Sequence, residues 1–266
     1  MTAALLKARN ALHAGRTIVG HWHGSGCPLL AETVTATSDY DVLVVDCQHG
    51  IIDAPAAMAV MASVRNASPF VRLRDTSAAH IHHALDAGAM GLIAPLINTA
   101  DDARAFVCEA MYPPLGSRSF GPVRASLLGL GGPGGYFASA NESVLCWAMI
   151  ETAAALHNVE QIAAVPGVHG VFIGPNDLSL SLGVPPSSNP QDPAVLQSIA
   201  KIRAAAHSAS KKAGIFCGDG AFARRMADEG FDFVIAGTDT GLLQMGAARE
   251  LEAVRAGGGG GGKPAY

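Results

Sequence analysis

Short apolar runs recur along the chain, each about as long as a β-strand and set apart by stretches with helical spacing. The strand-like runs fall at Thr17–Trp22, Val42–Asp46, Pro69–Leu73, Gly91–Pro95, Leu145–Ile150, Gly170–Ile173, Gly214–Cys217 and Phe233–Ala236. Between most of them apolar residues return every three or four positions, as in Ala78–Ala87, Ala100–Ala110, Ala153–Ala164, Ala194–Ala209 and Ala221–Glu229. Strands that are apolar on both faces and alternate with helices indicate a parallel sheet covered on both sides. Eight such units in 266 residues predict an α/β fold, a single-domain (β/α)8 TIM barrel over residues 1–256, rather than an open doubly wound sheet.

The punctuation agrees. Thr99-Ala-Asp-Asp and Asp75-Thr-Ser read as helix starts, and Gly88 and Gly230 stand where helices should stop. Leu5, Leu6, Ala8, Leu12 and Arg16 form a short amphipathic pattern that feeds into the first strand. The rhythm breaks at Pro113–Tyr136, rich in Gly and Pro, which is expected to be an enlarged loop after strand 4 with no clear helix. Inside it, Gly129 to Gly134 spells GxGxxG. A dinucleotide fingerprint must follow a strand and open a helix, so a turning loop is the better reading. The glycines of 257–262 and the last four residues are expected to form a flexible tail over 257–266.

Apolar residues make up 49% of the chain and charged ones only 15%, which argues against disorder. A net charge of -4 with mixed signs leaves no basic patch, so no nucleic-acid partner is expected. Sparse surface charge hints that other copies of the chain cover part of it. The five cysteines (Cys27, Cys47, Cys108, Cys146, Cys217) form no CxxC pair, and an odd count without a signal peptide fits a reducing compartment. No apolar run is long enough for a membrane span. No acid precedes Glu32, which is also a transit-peptide trait, but the amphipathic helix explains it and the expected location is cytoplasmic.

In a barrel of this type the chemistry sits where the strands end. Here they end in Trp22-His23, in Asp46 to His49, in Arg72, in Glu151, and in Gly174-Pro175-Asn176-Asp177. Glu151 and Asp177 follow neighbouring strands, and two carboxylates meeting at a barrel mouth repel unless a cation lies between them. An all-oxygen pair suits Mg2+ or Mn2+. The structural alternatives are an N-cap for Asp177 and a helix-start charge for Glu151. Arg72 lies in a buried strand and needs a carboxylate. It is either an anion clamp and enolate stabiliser or half of a structural ion pair, for which Asp46 is the candidate partner. His49, just past a strand end, reads as a base more than as a satisfied polar residue. The Gly174–Asp177 turn offers backbone N–H groups to a carboxylate. His80, His82 and His83 are expected to be solvated. His21 and His23 are expected to face opposite ways, and so not to share a site.

These residues together resemble the HpcH/HpaI family of metal-dependent 2-oxo acid aldolases, class II pyruvate aldolases of the phosphoenolpyruvate/pyruvate barrel superfamily. The resemblance runs from about Leu5 to about Ala253. It rests on Asp46-Cys-Gln-His49, Phe70-Val-Arg72, Leu85-Asp86-Ala-Gly88-Ala, Tyr112-Pro-Pro-Leu-Gly-Ser-Arg118, Ile150-Glu151-Thr152 and Phe172-Ile-Gly-Pro-Asn-Asp177-Leu-Ser179. It implies Glu151 and Asp177 as metal ligands and Arg72 on the keto or enolate oxygen. It implies His49 as general base, with Asp86 as its dyad partner. Gly174, Pro175 and Asn176 would seat the carboxylate, Trp22 would wall the site, and Asp46 would help to place the substrate. Arg124, in the enlarged loop with Arg118 and Tyr136, would help to shape the pocket for the second substrate.

The implied reaction is reversible cleavage of 4-hydroxy-2-oxo acids to pyruvate or hydroxypyruvate plus an aldehyde, through an enolate stabilised by a divalent cation (Mg2+ or Mn2+, with Co2+ as a further candidate). The resemblance also implies a homo-hexamer, with the last helix (Leu242–Ala253) exchanged between neighbours. Met149 and Gln48 depart from the commoner glutamine and glutamate of the family, which leaves the donor open. Two alternatives stand beside this reading: an oxaloacetate decarboxylase or related enolate enzyme on the same site, and a barrel that binds a 2-oxo acid without turning it over.

Overall fold

Eight parallel strands pair in chain order and close into a barrel: β1 (Ile18–His23), β2 (Val42–Asp46), β3 (Ser68–Arg72), β4 (Gly91–Ala94), β5 (Leu145–Ile150), β6 (Gly170–Ile173), β7 (Lys212–Ile215) and β8 (Phe233–Thr238). The computed structural model describes residues 4–128 and 131–256, so the expected tail and part of the glycine motif lie outside the described residues. Around the barrel run α2 (Pro28–Thr37), α3 (Ala54–Ser63), α4 (Ala78–Asp86), α5 (Ala100–Ala110), α6 (Gly132–Ser143), α7 (Ala153–His157), α8 (Val159–Ala163), α9 (Pro175–Ser181), α10 (Pro193–Ser208), α11 (Gly220–Asp228) and α12 (Asp239–Arg255).

Alternation along each strand sorts the apolar residues into two layers. Val42, Val44, Phe70, Ile93, Trp147, Met149, Phe172, Phe233 and Ile235 fill the barrel interior. Leu43, Val45, Val71, Leu92, Ala148, Val171 and Val234 point outward into the belt of helices. The interior is aromatic: the Phe233 ring lies 5.3 Å from both Trp147 and Phe172 and 5.9 Å from Phe70. Each such side chain contributes about 1.5–3 kcal/mol by leaving water. The helix α1 (Lys7–His13) sends Ala8, Ala11 and Leu12 into the same cluster. The Ala8 N–H donates to Ser68 Oγ at the start of β3 (3.0 Å), so α1 closes the end where the strands begin.

Four expectations change. β7 starts two residues earlier than its pattern suggests, so Lys212 lies within it and pairs with Asp232 at 2.8 Å. The segment after strand 4 is not free of helix. It holds a 3-10 turn at Ala125–Leu127 and then α6, which opens at Gly132 with Pro133 in its first turn, a position where proline costs no hydrogen bond. The segment also follows α5, at the end of the barrel where strands begin, because the Arg124 N–H donates to Asp86 O just before β4. Finally, His21 and His23 are two apart on one strand and so share a face. Their rings lie 6.3 Å apart, both fully buried outside the barrel wall.

Candidate active site at the barrel mouth

The inward alternation that builds the core carries polar side chains to its open end. Trp22, Asp46 and Arg72 each continue an inward row, and β2–β3 register sets Asp46 directly beside Arg72. Arg72 Nε and Nη2 donate to the two carboxylate oxygens of Asp46 at 2.9 and 2.5 Å. Both residues are nearly buried, at 6% and 5% exposure. Trp22 Nε1–H donates to Asp46 Oδ2 at 3.1 Å, and the guanidinium lies 4.9 Å from the Trp22 ring. Asp46 Oδ1 also accepts the N–H groups of Gln48 (3.0 Å) and His49 (3.2 Å). Burial works to raise the Asp46 pKa, but Arg72 and these donors hold it below the usual carboxylate range. Among the described residues Arg72 Nη1 has no partner. The Nη1 amino group of a fixed cation therefore remains free for a ligand.

Trp22, Asp46, His49, Arg72, Met149, Gly174, Pro175, Asn176, Asp177 and Phe216 line a single cavity of about 210 Å3. The mouth thus brings together most of the residues singled out in the sequence. Glu151 stands behind it, 2% exposed, with its Oε1 accepting the Leu96 N–H at 2.7 Å. Burial, and then the neighbouring Asp177, push its pKa up. Gly174 is needed for this fit, since a Cβ there would come within 2.6 Å of Met149 Cε and 2.9 Å of Glu151 Oε2. Leu96 is held at φ 54, an uncommon conformation for a residue with a side chain, and its N–H is committed to Glu151. No sequence signal points to Leu96. Phe216 was hidden too, because the apolar run placed it within β7 when it lies just beyond its end.

Asp86 and Arg124 are elsewhere. Asp86 ends α4, at the closed end of the barrel, where its Oδ1 accepts from Arg118 Nη2 at 2.7 Å. Arg124 Nη1 donates to Ala87 O at 2.7 Å. Within one chain neither approaches His49, so the expected dyad and the expected contact of Arg124 with the site do not form there. Within one chain the enlarged loop likewise stays at the end of the barrel where the strands begin. Gln48 does not line the mouth, and its Oε1 is buried without a donor. Of the histidines expected to be solvated, His80 is partly exposed and pairs with Asp75 (2.7 Å), while His82 keeps only 19% of its side chain exposed and faces Glu109 (3.1 Å).

A larger cavity of about 280 Å3 lies outside the barrel between α3 and α4, with Cys47 in its wall. Burial, and then Asp46, push the Cys47 thiol up to about 11, which leaves it a weak nucleophile. Among the described residues no group of three or more His, Cys, Asp or Glu could hold a metal ion, and no helix is long and apolar enough to cross a membrane.

A parallel eight-stranded barrel with polar residues at its strand ends defines an enzyme of the (β/α)8 class, and comparison with known proteins shows which family of that class the chain belongs to. The profile of the HpcH/HpaI aldolase/citrate lyase family matches residues 19–245, and the protein is an enzyme of the aldolase type, a carbon–carbon lyase. It is 42% identical over 252 residues to a hydroxypyruvate/pyruvate aldolase of Rhizorhabdus wittichii, covering 94% of this chain and 99% of that one. It is 38% identical over 239 residues to a 2-keto-3-deoxy-L-rhamnonate aldolase of Salmonella gallinarum, covering 88% and 87%. The crystal structure of an HpcH/HpaI aldolase/citrate lyase family protein from Burkholderia cenocepacia superposes with a TM-score of 0.84 at 32% identity, over 90% of this chain and 95% of that one.

Proposed function

We propose that the mouth takes a 4-hydroxy-2-oxo acid and cleaves it reversibly to pyruvate or hydroxypyruvate and an aldehyde. The observation that carries this reading is the single cavity that holds the Asp46–Arg72 pair, His49 and the Gly174–Asp177 turn, with Glu151 behind it. The donor follows the relative named a hydroxypyruvate/pyruvate aldolase.

The residues fit a divalent cation. Glu151 is a buried carboxylate whose pKa is raised by burial and by a second carboxylate, which a cation would relieve. Two protein oxygens completed by substrate and water suit Mg2+ or Mn2+, with Co2+ also compatible. Held by Glu151 and Asp177, such an ion would supply Lewis acidity toward the keto group. Backbone N–H groups of the Gly174–Asp177 turn would seat the substrate carboxylate. Arg72 would donate to the keto oxygen and follow it as it becomes an enolate oxygen, and Asp46 keeps the guanidinium in that orientation. His49 would take the C4 hydroxyl proton as the C3–C4 bond breaks. The aldehyde then leaves, and the bonding pair remains on the enolate until C3 is protonated. In synthesis His49 returns the proton to the aldehyde oxygen. A base so placed contributes about 10²–10⁴-fold.

Asp86 and Arg124, adjacent at the closed end, would serve His49 and the aldehyde only from another copy of the chain. The apolar Leu242, Leu243, Met245, Leu251 and Val254 of α12 are exposed, which supports a homo-oligomer, with a hexamer as the expected form. Free thiols at all five cysteines suit a reducing compartment such as the cytoplasm.

The test is pyruvate release from 4-hydroxy-2-oxopentanoate with Mn2+ or Mg2+. Excess chelator should abolish it, and Glu151→Gln and Asp177→Asn should each lower kcat at least about 100-fold with the fold kept. Full turnover in chelator, or in either variant, would remove the metal assignment.

A further inference from the structure

The loop that carries His49 is braced from the far side of the barrel wall. His49 N–H is fixed to Asp46, and two residues on, the Ile51 N–H donates to Gly24 O at 3.2 Å. Gly50 lies between them with no room for a side chain: a Cβ there would sit 2.1 Å from Asp46 O and 3.0 Å from Gly24 O. The loop therefore rests on the backbone of Gly24, and its position is as good as that of the turn after β1.

That turn is held by one carboxylate. Asp239 Oδ1 accepts the Gly24 N–H at 3.1 Å and Oδ2 accepts the Ser25 N–H at 2.9 Å. Asp239 opens α12 and is the buried residue of that helix, at 6% exposure. Oδ1 also accepts the Thr240 N–H at 2.9 Å. His23 Nδ1 stands 3.3 Å from Oδ2, off the line of a hydrogen bond. Although burial opposes it, Asp239 keeps a lowered pKa through Ser25, Gly24 and His23, so it accepts from both N–H groups as an anion at neutral pH. Neither Asp239 nor Gly24 touches the mouth cavity.

We propose that Asp239 is a positioning residue for the candidate base: it fixes the Gly24–Ser25 turn, the turn fixes the Gly50–Ile51 backbone, and that backbone sets where His49 meets the substrate hydroxyl. The proposal rests on the reading of His49 as the base. The groups assigned to the acid, Arg72, Glu151 and the Gly174–Asp177 turn, come from the ends of β3, β5 and β6, and none of them bonds to Gly24, Ser25 or Asp239. Loss of Asp239 should therefore impair the proton transfer and spare acid binding.

Oxaloacetate provides the contrast. Its decarboxylation breaks a bond to a carboxylate and releases CO2, leaving the same enolate with no hydroxyl proton for His49 to take. In the full chain with Mn2+, Asp239→Asn and Asp239→Ala should lower kcat for cleavage of 4-hydroxy-2-oxopentanoate about 10- to 100-fold, the scale of an ångström's misplacement. The pyruvate Kd, measured by titration calorimetry, and the rate of any oxaloacetate decarboxylation should stay within about twofold. The asparagine variant preserves shape if the alanine variant folds poorly. His49→Ala in the same assays should show the same selective loss. Equal losses in all measurements, or no loss, in the Asp239 variants beside a selective loss in His49→Ala would overturn the brace. An unchanged cleavage rate in His49→Ala would instead overturn the base assignment beneath it.

Discussion

Arg72 and Asp46 face each other across adjacent strands in register and meet through two parallel hydrogen bonds inside the barrel mouth. The pair answers two needs at once. It neutralises a guanidinium in a nearly buried place, and it points the Nη1 amino group of that guanidinium in a fixed direction.

Arg72→Lys keeps the charge and loses the fork. A lysine cannot bond both oxygens of Asp46 and still present a fixed donor, so kcat should fall about 100-fold or more. The melting temperature should fall as well, because Asp46 is left partly unpaired. Steady-state kinetics and a thermal melt check this, and near-wild-type kcat would show that the pair is only structural.

Asp86 lies at the opposite end of its own barrel from His49, so a His49–Asp86 dyad requires two chains. His49→Ala and Asp86→Ala should each be impaired alone. Co-expressed, they should recover roughly a quarter of wild-type activity, since half the sites keep His49 and half of those meet an intact Asp86. Activity no higher than the average of the separate variants would place Asp86 outside the reaction.

His21 and His169 are buried where a charged imidazole is poorly solvated, and burial lowers both from 6.5 to about 4. The unfolded chain therefore binds protons from about pH 6.5 downward while the native chain does not. Stability is lost as pH falls from about 6.5 to about 4, by up to about 3 kcal/mol for each residue, and levels off below. Asp46 acts only at lower pH, through its lowered pKa, and Glu151, raised, acts with the opposite sign just above its usual range. Urea midpoints across that window, for the wild type and His21→Phe, measure the effect. An unchanged slope in the variant would exclude His21 as a contributor.

How much of this the amino-acid order reveals depends on how local each relationship is. Strands and the polar residues at their ends are local, and alternation alone delivers Trp22, Asp46, Arg72 and Glu151 to the mouth. The same alternation, applied to His21 and His23, puts them side by side instead of apart. Phe216 was missed because a boundary two residues off moves a side chain from within a strand to the rim. Leu96 could not be read at all: its contribution is a backbone N–H aimed by a positive φ, and a leucine in the sequence signals neither. The enlarged segment was visible as an interruption, but its end of the barrel depends on α5 coming first. Asp86 and Asp239 are single acids in helical contexts, and nothing nearby marks one as displaced from the site and the other as a brace.

The packed interior of the barrel is the floor of the mouth cavity, which lies at the ends of the strands. On the proposed reading the seat for the 2-oxo acid would be on the buried side, between Arg72 and Gly174, while His49 stands exposed at the lip. Traffic would then be sequential: in synthesis the acid would enter before the aldehyde, and in cleavage the aldehyde would leave first, because an aldehyde at the lip would stand over the acid.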